Sequence, residues 1–146
     1  MTVTESQRQV VVFGVGEEEY ALDVSEVVEI IRYSEPRAVA SDAAWIRGVM
    51  SLRGRIIPVC DLATRLGVVR GGREPGKIIV VDAGGHTAGL IVDDVSEVLT
   101  VNEADVEFLR ISPSDSGHSI VTVGERLIVL LASASVFESA DLVDAA

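Results

Sequence analysis

Cys60 could act as a nucleophile only with a base beside it, and His86 and His118 are the candidates for that base. The cysteine falls inside an apolar strand pattern, where a small buried thiol is an ordinary occupant. His118, in Ser116-Gly117-His118-Ser119, would suit hydrolysis, yet no Gly-x-Ser-x-Gly elbow accompanies it. A small-molecule-binding or hydrolytic domain using Cys60 or His118 is therefore the alternative reading and not the main one. One cysteine and two distant histidines do not have metal-ligand spacing, and Asp93-Asp94 would point to opposite faces of a strand. The stretch Phe13-Gly14-Val15-Gly16-Glu17-Glu18-Glu19 has the strand-then-glycine start of a dinucleotide-binding turn. Glu19 stands at its third glycine position, however, and three carboxylates would meet the pyrophosphate. No catalytic residue, metal or cofactor is expected.

Recognition chemistry is better supplied. Residues 48–62, Gly-Val-Met-Ser-Leu-Arg-Gly-Arg-Ile-Ile-Pro-Val-Cys-Asp-Leu, place an Arg-Gly-Arg turn between two apolar runs. They predict a hairpin with charge at its tip and a three-residue link in which Gly54 adopts positive φ without steric cost. Arg53 would there offer a planar fork of donors. Glu29 is a lone acid within Val27-Val28-Glu29-Ile30-Ile31. It is either the solvent-facing member of an alternating strand or the polar centre of an interface patch.

The elements that must position these groups are mostly strands. Gln9–Val15 and Tyr20–Val24 read as a pair, and Ser25–Ile31 as a turn feeding a strand. Residues 34–40, with Pro36, read as a connection or edge strand, after which Ser41-Asp42 could cap one helical turn through Trp45. Pro58 cannot donate a backbone hydrogen bond and should face a sheet edge or bulge. Asp61 is an N-cap for a helix over 62–66, and Gly67 its stop. Arg70–Gly76 is a loop, and Lys77–Val81, His86–Val92 and Val95–Val101 form a meander with a turn at Ala83-Gly84-Gly85. Residues 112–119 read as an exposed loop, Ile120–Val123 pairs with Arg126–Leu131, and Ser133 starts a terminal helix. Nine or ten closely spaced strands are too many for one small barrel, so two five-stranded units sharing a core are expected.

Composition agrees with this reading and removes several function classes. Hydrophobic residues are 48% but aromatics only 4% of the 146, a Val/Ile/Leu excess that favours strands. The length suits a single domain, 1–146, made of two intimately packed halves with flexible tails near 1–8 and 139–146. The longest apolar stretch, 127–137, is broken by two serines and is far short of the roughly 20 residues of a membrane span. The N-terminus lacks the basic-then-apolar pattern of a secretory signal, so a cytoplasmic address is expected. A net charge of −11 repels phosphate backbones and argues against nucleic-acid binding. Arg47, Arg53, Arg55, Arg65, Arg70, Arg73 and Lys77 nevertheless face only Asp61 and Glu74 in their segment, a local excess of five positive charges. That island is either ordinary solvated charge or an Arg-bearing face for an acidic protein.

Three blocks carry a resemblance: Gly16-Glu-Glu-Glu-Tyr20-Ala-Leu-Asp-Val24, then Val27-Val-Glu-Ile30, then Gly48-Val-x-x-Leu-Arg-Gly-x-Ile-Ile-Pro-Val-x-Asp-Leu62. Gly89-Leu-Ile-Val-Asp93, Val95-Ser-Glu-Val-Leu99 and, more loosely, Gly124-Glu-Arg-Leu-Ile128 extend it. The chain resembles the CheW family of chemotaxis coupling proteins over most of residues 10–131. Ala38–Ala44 departs from the proline-rich approach usual in that family. The resemblance implies a mainly β fold of two SH3-like barrels and a non-enzymatic adaptor in cytoplasmic, membrane-associated receptor arrays. Its implied partners are a CheA-type histidine kinase regulatory domain and the cytoplasmic tip of methyl-accepting chemoreceptors, with no direct membrane insertion. It also implies that Val27, Glu29, Ile30 and Arg53 contact the receptor, while Gly48 and Gly54 support the hairpin geometry. A fragment of a larger kinase or response-regulator fusion is the less favoured reading at this length.

Overall fold

The computed structural model describes residues 6–110 and 117–137. Eleven strands and two short helices lie among them: β1 (Gln7–Val15), β2 (Glu18–Asp23), β3 (Val27–Arg32), β4 (Ile46–Leu52), β5 (Arg55–Asp61), α1 (Leu62–Leu66), β6 (Lys77–Ala83), β7 (His86–Val92), β8 (Asp94–Asn102), β9 (Val106–Leu109), β10 (His118–Val123), β11 (Arg126–Leu131) and α2 (Ser133–Val136). They form a six-stranded sheet in the order β8-β1-β2-β11-β10-β9 and a five-stranded sheet in the order β3-β6-β7-β5-β4. The first unit therefore has six strands where five are expected, because the four-residue β9 extends it beyond β10.

Three apolar clusters explain why the strand sequences look as they do. In β6, Ile78 and Val80 fill the interior of the five-stranded unit with Ile57, Val59 and Ile91. Their neighbours Ile79 and Val81 turn the other way, to a core shared with Phe13, Val15, Tyr20 and Leu22 of the first sheet. Val10, Val12, Ala21, Val121 and Ile128 fill the interior of the six-stranded unit. Strands buried on both faces read as continuous apolar runs. The shared core is thus why β1, β6 and β7 lack the alternation of a half-solvated strand.

The expected meander fails at its third strand. β6 and β7 pair, but β8 leaves that sheet and pairs with β1 instead. The crossing is held at Asp93, whose backbone N–H donates to the Gly14 carbonyl at 3.0 Å while its carboxylate accepts from Gly16 N–H at 2.7 Å. The turn expected after Ser41 forms as a single hydrogen-bonded turn and not as a helix: the Ser41 hydroxyl accepts from Ala43 N–H, and Ile46 N–H closes onto the Ala43 carbonyl. β1 begins at Gln7, whose side-chain amide donates to Asn102 Oδ1, so residues 7 and 8 are strand and not tail. The tail expected at 139–146 and residues 112–116 of the expected loop lie outside the described residues.

Asp61 caps α1 as its position predicts, accepting from Ala63 N–H and the Thr64 hydroxyl, and Gly67 ends the helix in the left-handed region at φ 72°. The same buried carboxylate also accepts from Arg47 at 2.6 Å and Arg70 at 2.8 Å. Arg70 reaches on to Asp93 at the crossing between sheets. A chain of charges therefore runs from β4 through Asp61, Arg70 and Asp93 to the β1–β2 turn. Burial alone would raise the Asp61 pKa, but hydrogen bonds from Arg70, Arg47 and Thr64 outweigh it and hold the carboxyl below its ordinary 3.8.

Because that pKa is depressed by folding, the stabilisation is fully present above pH 3.8 and is lost as the pH falls through the folded value. Asp61→Asn leaves two guanidinium groups facing a neutral amide and is expected to cost about 3–5 kcal/mol in urea unfolding at pH 7. Its stability should fall less steeply than the parent's in acid. A parent-like midpoint at pH 7 would show that the Asp61 charge does not hold these elements together.

Candidate functional site

The hairpin of β4 and β5 turns through two residues, not the expected three, since Leu52 pairs directly with Arg55. Arg53 (φ 52°) and Gly54 (φ 81°) both occupy the left-handed region, the pattern of a type I′ turn that matches the twist of the flanking strands. A non-glycine residue there stores strain of about 1–3 kcal/mol and persists only where its surroundings hold it. Arg53 is so held: its Nε and one terminal nitrogen donate to the two Glu29 oxygens, each at 2.9 Å.

This contact requires the sheet to curl, because β3 and β4 are its opposite edges. The chain leaving β3 closes the gap, with Arg37 and Val49 exchanging backbone hydrogen bonds at 2.8 and 2.9 Å. Gly48 makes that approach possible. Its φ is 151°, and a Cβ there would lie 1.9 Å from the Arg37 carbonyl oxygen, whereas a Cβ on Gly54 meets nothing within 4 Å. Pro58 pairs with Val49 on the β4 side, while β5 begins its pairing with β7 only at Val59, so no ladder hydrogen bond is lost.

The residues expected to face a partner fall into two pairs. Glu29 and Arg53 meet as an exposed ion pair, and Arg53's hydrogen bonds hold the Glu29 carboxyl below its ordinary 4.5. Val27 lies opposite Val81 and Ile30 opposite Ile79, so both share the face of the common core. Val27 is half-buried against that core, while Ile30 is 40% exposed. Glu29 lies opposite Val80 and takes the other face, because a bulge between Val27 and Glu29 inserts Val28. Val28, 56% exposed, was not singled out by the sequence pattern; a run of five residues gives no sign of which one bulges. Val98 was also missed. It ends a row of cross-strand neighbours with Val11 and Leu22 that runs from the shared core to solvent.

The basic island is not one binding face. Arg47 and Arg70 turn onto Asp61, Arg53 onto Glu29, and Arg65 donates to the Val136 carbonyl while its guanidinium lies 5.3 Å from the Trp45 ring centre. Cys60 is wholly buried in the shared core, where burial pushes its thiol pKa far up. His118 lines a cleft of about 590 Å³ with Arg8, Asp23, Glu26 and Phe108, and Cys60 is not among the lining residues. The two groups of the hydrolytic reading thus do not share that cleft. Among the described residues no three metal-ligating side chains converge, and no helix is long and apolar enough to cross a membrane.

These features define a double-barrelled β scaffold whose distinctive surface is an ion-paired hairpin tip beside an apolar edge strand. Comparison with known proteins identifies the class. The family profile described as a CheW-like domain matches residues 9–141. The chain is 31% identical over 144 residues to the chemotaxis protein CheW of Rhizobium meliloti, covering 94% of this chain and 92% of that one. It is 32% identical over 125 residues to CheW of Thermotoga maritima, covering 84% and 83%. The crystal structure of the scaffolding protein TtCheW from Thermoanaerobacter tengcongensis matches with a TM-score of 0.77 and 32% identity, over 86% of this chain and 88% of that one. The chain belongs to the CheW family of chemotaxis coupling proteins, which are scaffolds and not enzymes, and its two units are the SH3-like barrels of that fold.

Gly48→Ala and Gly54→Ala separate the two glycines. The first must displace the Arg37 carbonyl as well as strain its own backbone, and the second only strains the turn, at about 1–2 kcal/mol. Thermal unfolding should therefore place Gly48→Ala well below Gly54→Ala. Equal losses would mean that the Arg37 approach gives way freely.

Proposed function

We propose that this protein couples a CheA-type histidine kinase, through the kinase's CheW-like regulatory domain, to the cytoplasmic tips of methyl-accepting chemoreceptors in membrane-associated arrays, and that it works in the cytoplasm. The observation that carries this reading is the Glu29–Arg53 clasp between the β4–β5 turn and β3, with Ile30 and Val28 exposed on the same edge strand. Arg53 offers a guanidinium held in one direction by its backbone and by Glu29. Ile30 and Val28 give apolar contact to a helical-hairpin tip, while Val27 supports them from the core side.

The clasp also gives Glu29 a role in specificity. An incoming carboxylate or carbonyl must compete with Glu29 for the guanidinium, so a poorly placed acceptor gains nothing by the exchange. Gly48 and Gly54 act indirectly, by letting the hairpin reach β3. No step of this coupling needs a nucleophile, metal or cofactor; the output comes from holding two partners in fixed relation.

Arg53→Glu places two carboxylates side by side at the contact. Capture of a receptor cytoplasmic fragment should weaken roughly tenfold or more, while kinase-domain binding is kept and thermal unfolding shows only the small loss of an exposed ion pair. Undiminished capture by a folded variant would remove Arg53 from the interface. Failure of the unmodified protein to co-migrate with the cognate kinase regulatory domain at tens of micromolar would remove the coupling function itself.

A further inference from the structure

Ser133, at the start of α2, is only 1% exposed. Its backbone N–H donates to Glu26 Oε1 at 2.6 Å and its hydroxyl to the same oxygen at 2.5 Å. The hydroxyl oxygen also sits 2.9 Å from the Asp82 carbonyl. Glu26 immediately precedes Val27 and Asp82 immediately follows Val81, and Val27–Val81 is the terminal pair of the β3–β6 ladder. One buried serine therefore joins the residue before β3 to β6: its N–H bonds Glu26, and its single hydroxyl hydrogen lies within reach of both Glu26 and the Asp82 carbonyl, next to the bulge that sets which face Glu29 and Ile30 take.

The other end of α2 is fastened independently. Arg65 of α1 donates to the Val136 carbonyl at 2.7 Å, and Val136 and Phe137 are buried in the shared core. Phe137 also packs against Trp45, with ring centres 5.8 Å apart. The short helix thus has one end anchored on the core, while the donors of its first residue are spent on Glu26, the residue before β3. A one-residue slip of β3 would exchange the faces taken by Glu29 and Ile30 and move Glu29 away from Arg53, so what fixes the end of this strand fixes both side chains.

We propose that Glu26 and Ser133 are positioning residues for the partner-binding strand: the clasp between them transmits the placement of α2 to the bulge in β3, and through it to Glu29 and Ile30. This rests on β3 being receptor-facing. The role belongs to oxygen-acceptor geometry at Glu26 more than to its charge, since both bonds end on one oxygen, which a glutamine can also present.

The test uses the full chain with Glu26→Ala, Glu26→Gln and Ser133→Ala, read by amide hydrogen exchange and by binding of a receptor cytoplasmic fragment and a kinase regulatory domain. Exchange across residues 27–31 should quicken roughly tenfold in Glu26→Ala, less in Ser133→Ala, which keeps the backbone bond, and little in Glu26→Gln. Receptor binding should weaken in the same order while kinase binding is kept. If Glu26→Ala does not fold, Ser133→Ala and Glu26→Gln carry the comparison. Parent-like exchange in β3 overturns the proposal, as does quickened exchange with unchanged receptor binding when Ile30→Asp abolishes that binding. Unchanged receptor binding by Ile30→Asp instead overturns the assignment of β3 to the receptor and leaves the exchange result to judge the clasp.

Discussion

The two barrels are joined by a shared apolar core, but what indexes one against the other is a buried run of charge. A carboxylate as deeply placed as Asp61 would be neutral or ruinous without partners, since removing an ion from water costs several kcal/mol even after relaxation. Arg47 and Arg70 supply those partners, and Arg70 has a second obligation to Asp93 at the strand crossing. Apolar contact is tolerant of sliding; bonds from one guanidinium to two carboxylates are not. The core thus supplies the cohesion, and the Asp61–Arg70–Asp93 chain selects a single arrangement within it.

Much of this fold is legible from local sequence, for local reasons. The hairpin with its left-handed glycine, the cap at Asp61, the stop at Gly67 and the β10–β11 pair all follow from backbone preferences that act over a few residues. What could not be read is pairing at a distance. β8 has an ordinary strand pattern, and nothing in that pattern tells β7 from β1 as its neighbour; the choice is made by Asp93 and the backbone of Gly14 and Gly16. Arg70 sits in a glycine-rich loop whose composition suggests only solvent, yet it is among the most committed side chains in the molecule.

The candidate site divides in the same way. Residue types and family resemblance pick out Arg53 and Glu29, but their mutual contact depends on opposite edges of a sheet meeting, which no spacing in the chain encodes. An arginine surplus in one segment invites a reading as a binding face, and the structure spends much of it internally. For an acidic scaffold this has a plain electrostatic result. Arg47, Arg65 and Arg70 are committed within the molecule, so the positive charge this segment offers to a partner is smaller than its count of basic residues suggests.

The crossing at Asp93 also orders the folding of the molecule in time. The five-stranded barrel is built from residues 27–92, an uninterrupted stretch, whereas the six-stranded barrel takes β1 and β2 from before it and β8–β11 from after it. Strand β2 lies between β1 and β11, its neighbour on one side present from the start and that on the other about a hundred residues later. As the chain emerges from the ribosome, the inner barrel can close while the outer one still waits for four of its six strands. The first-made strands, β1 and β2, are then the last to be enclosed, and their apolar faces are exposed for longest.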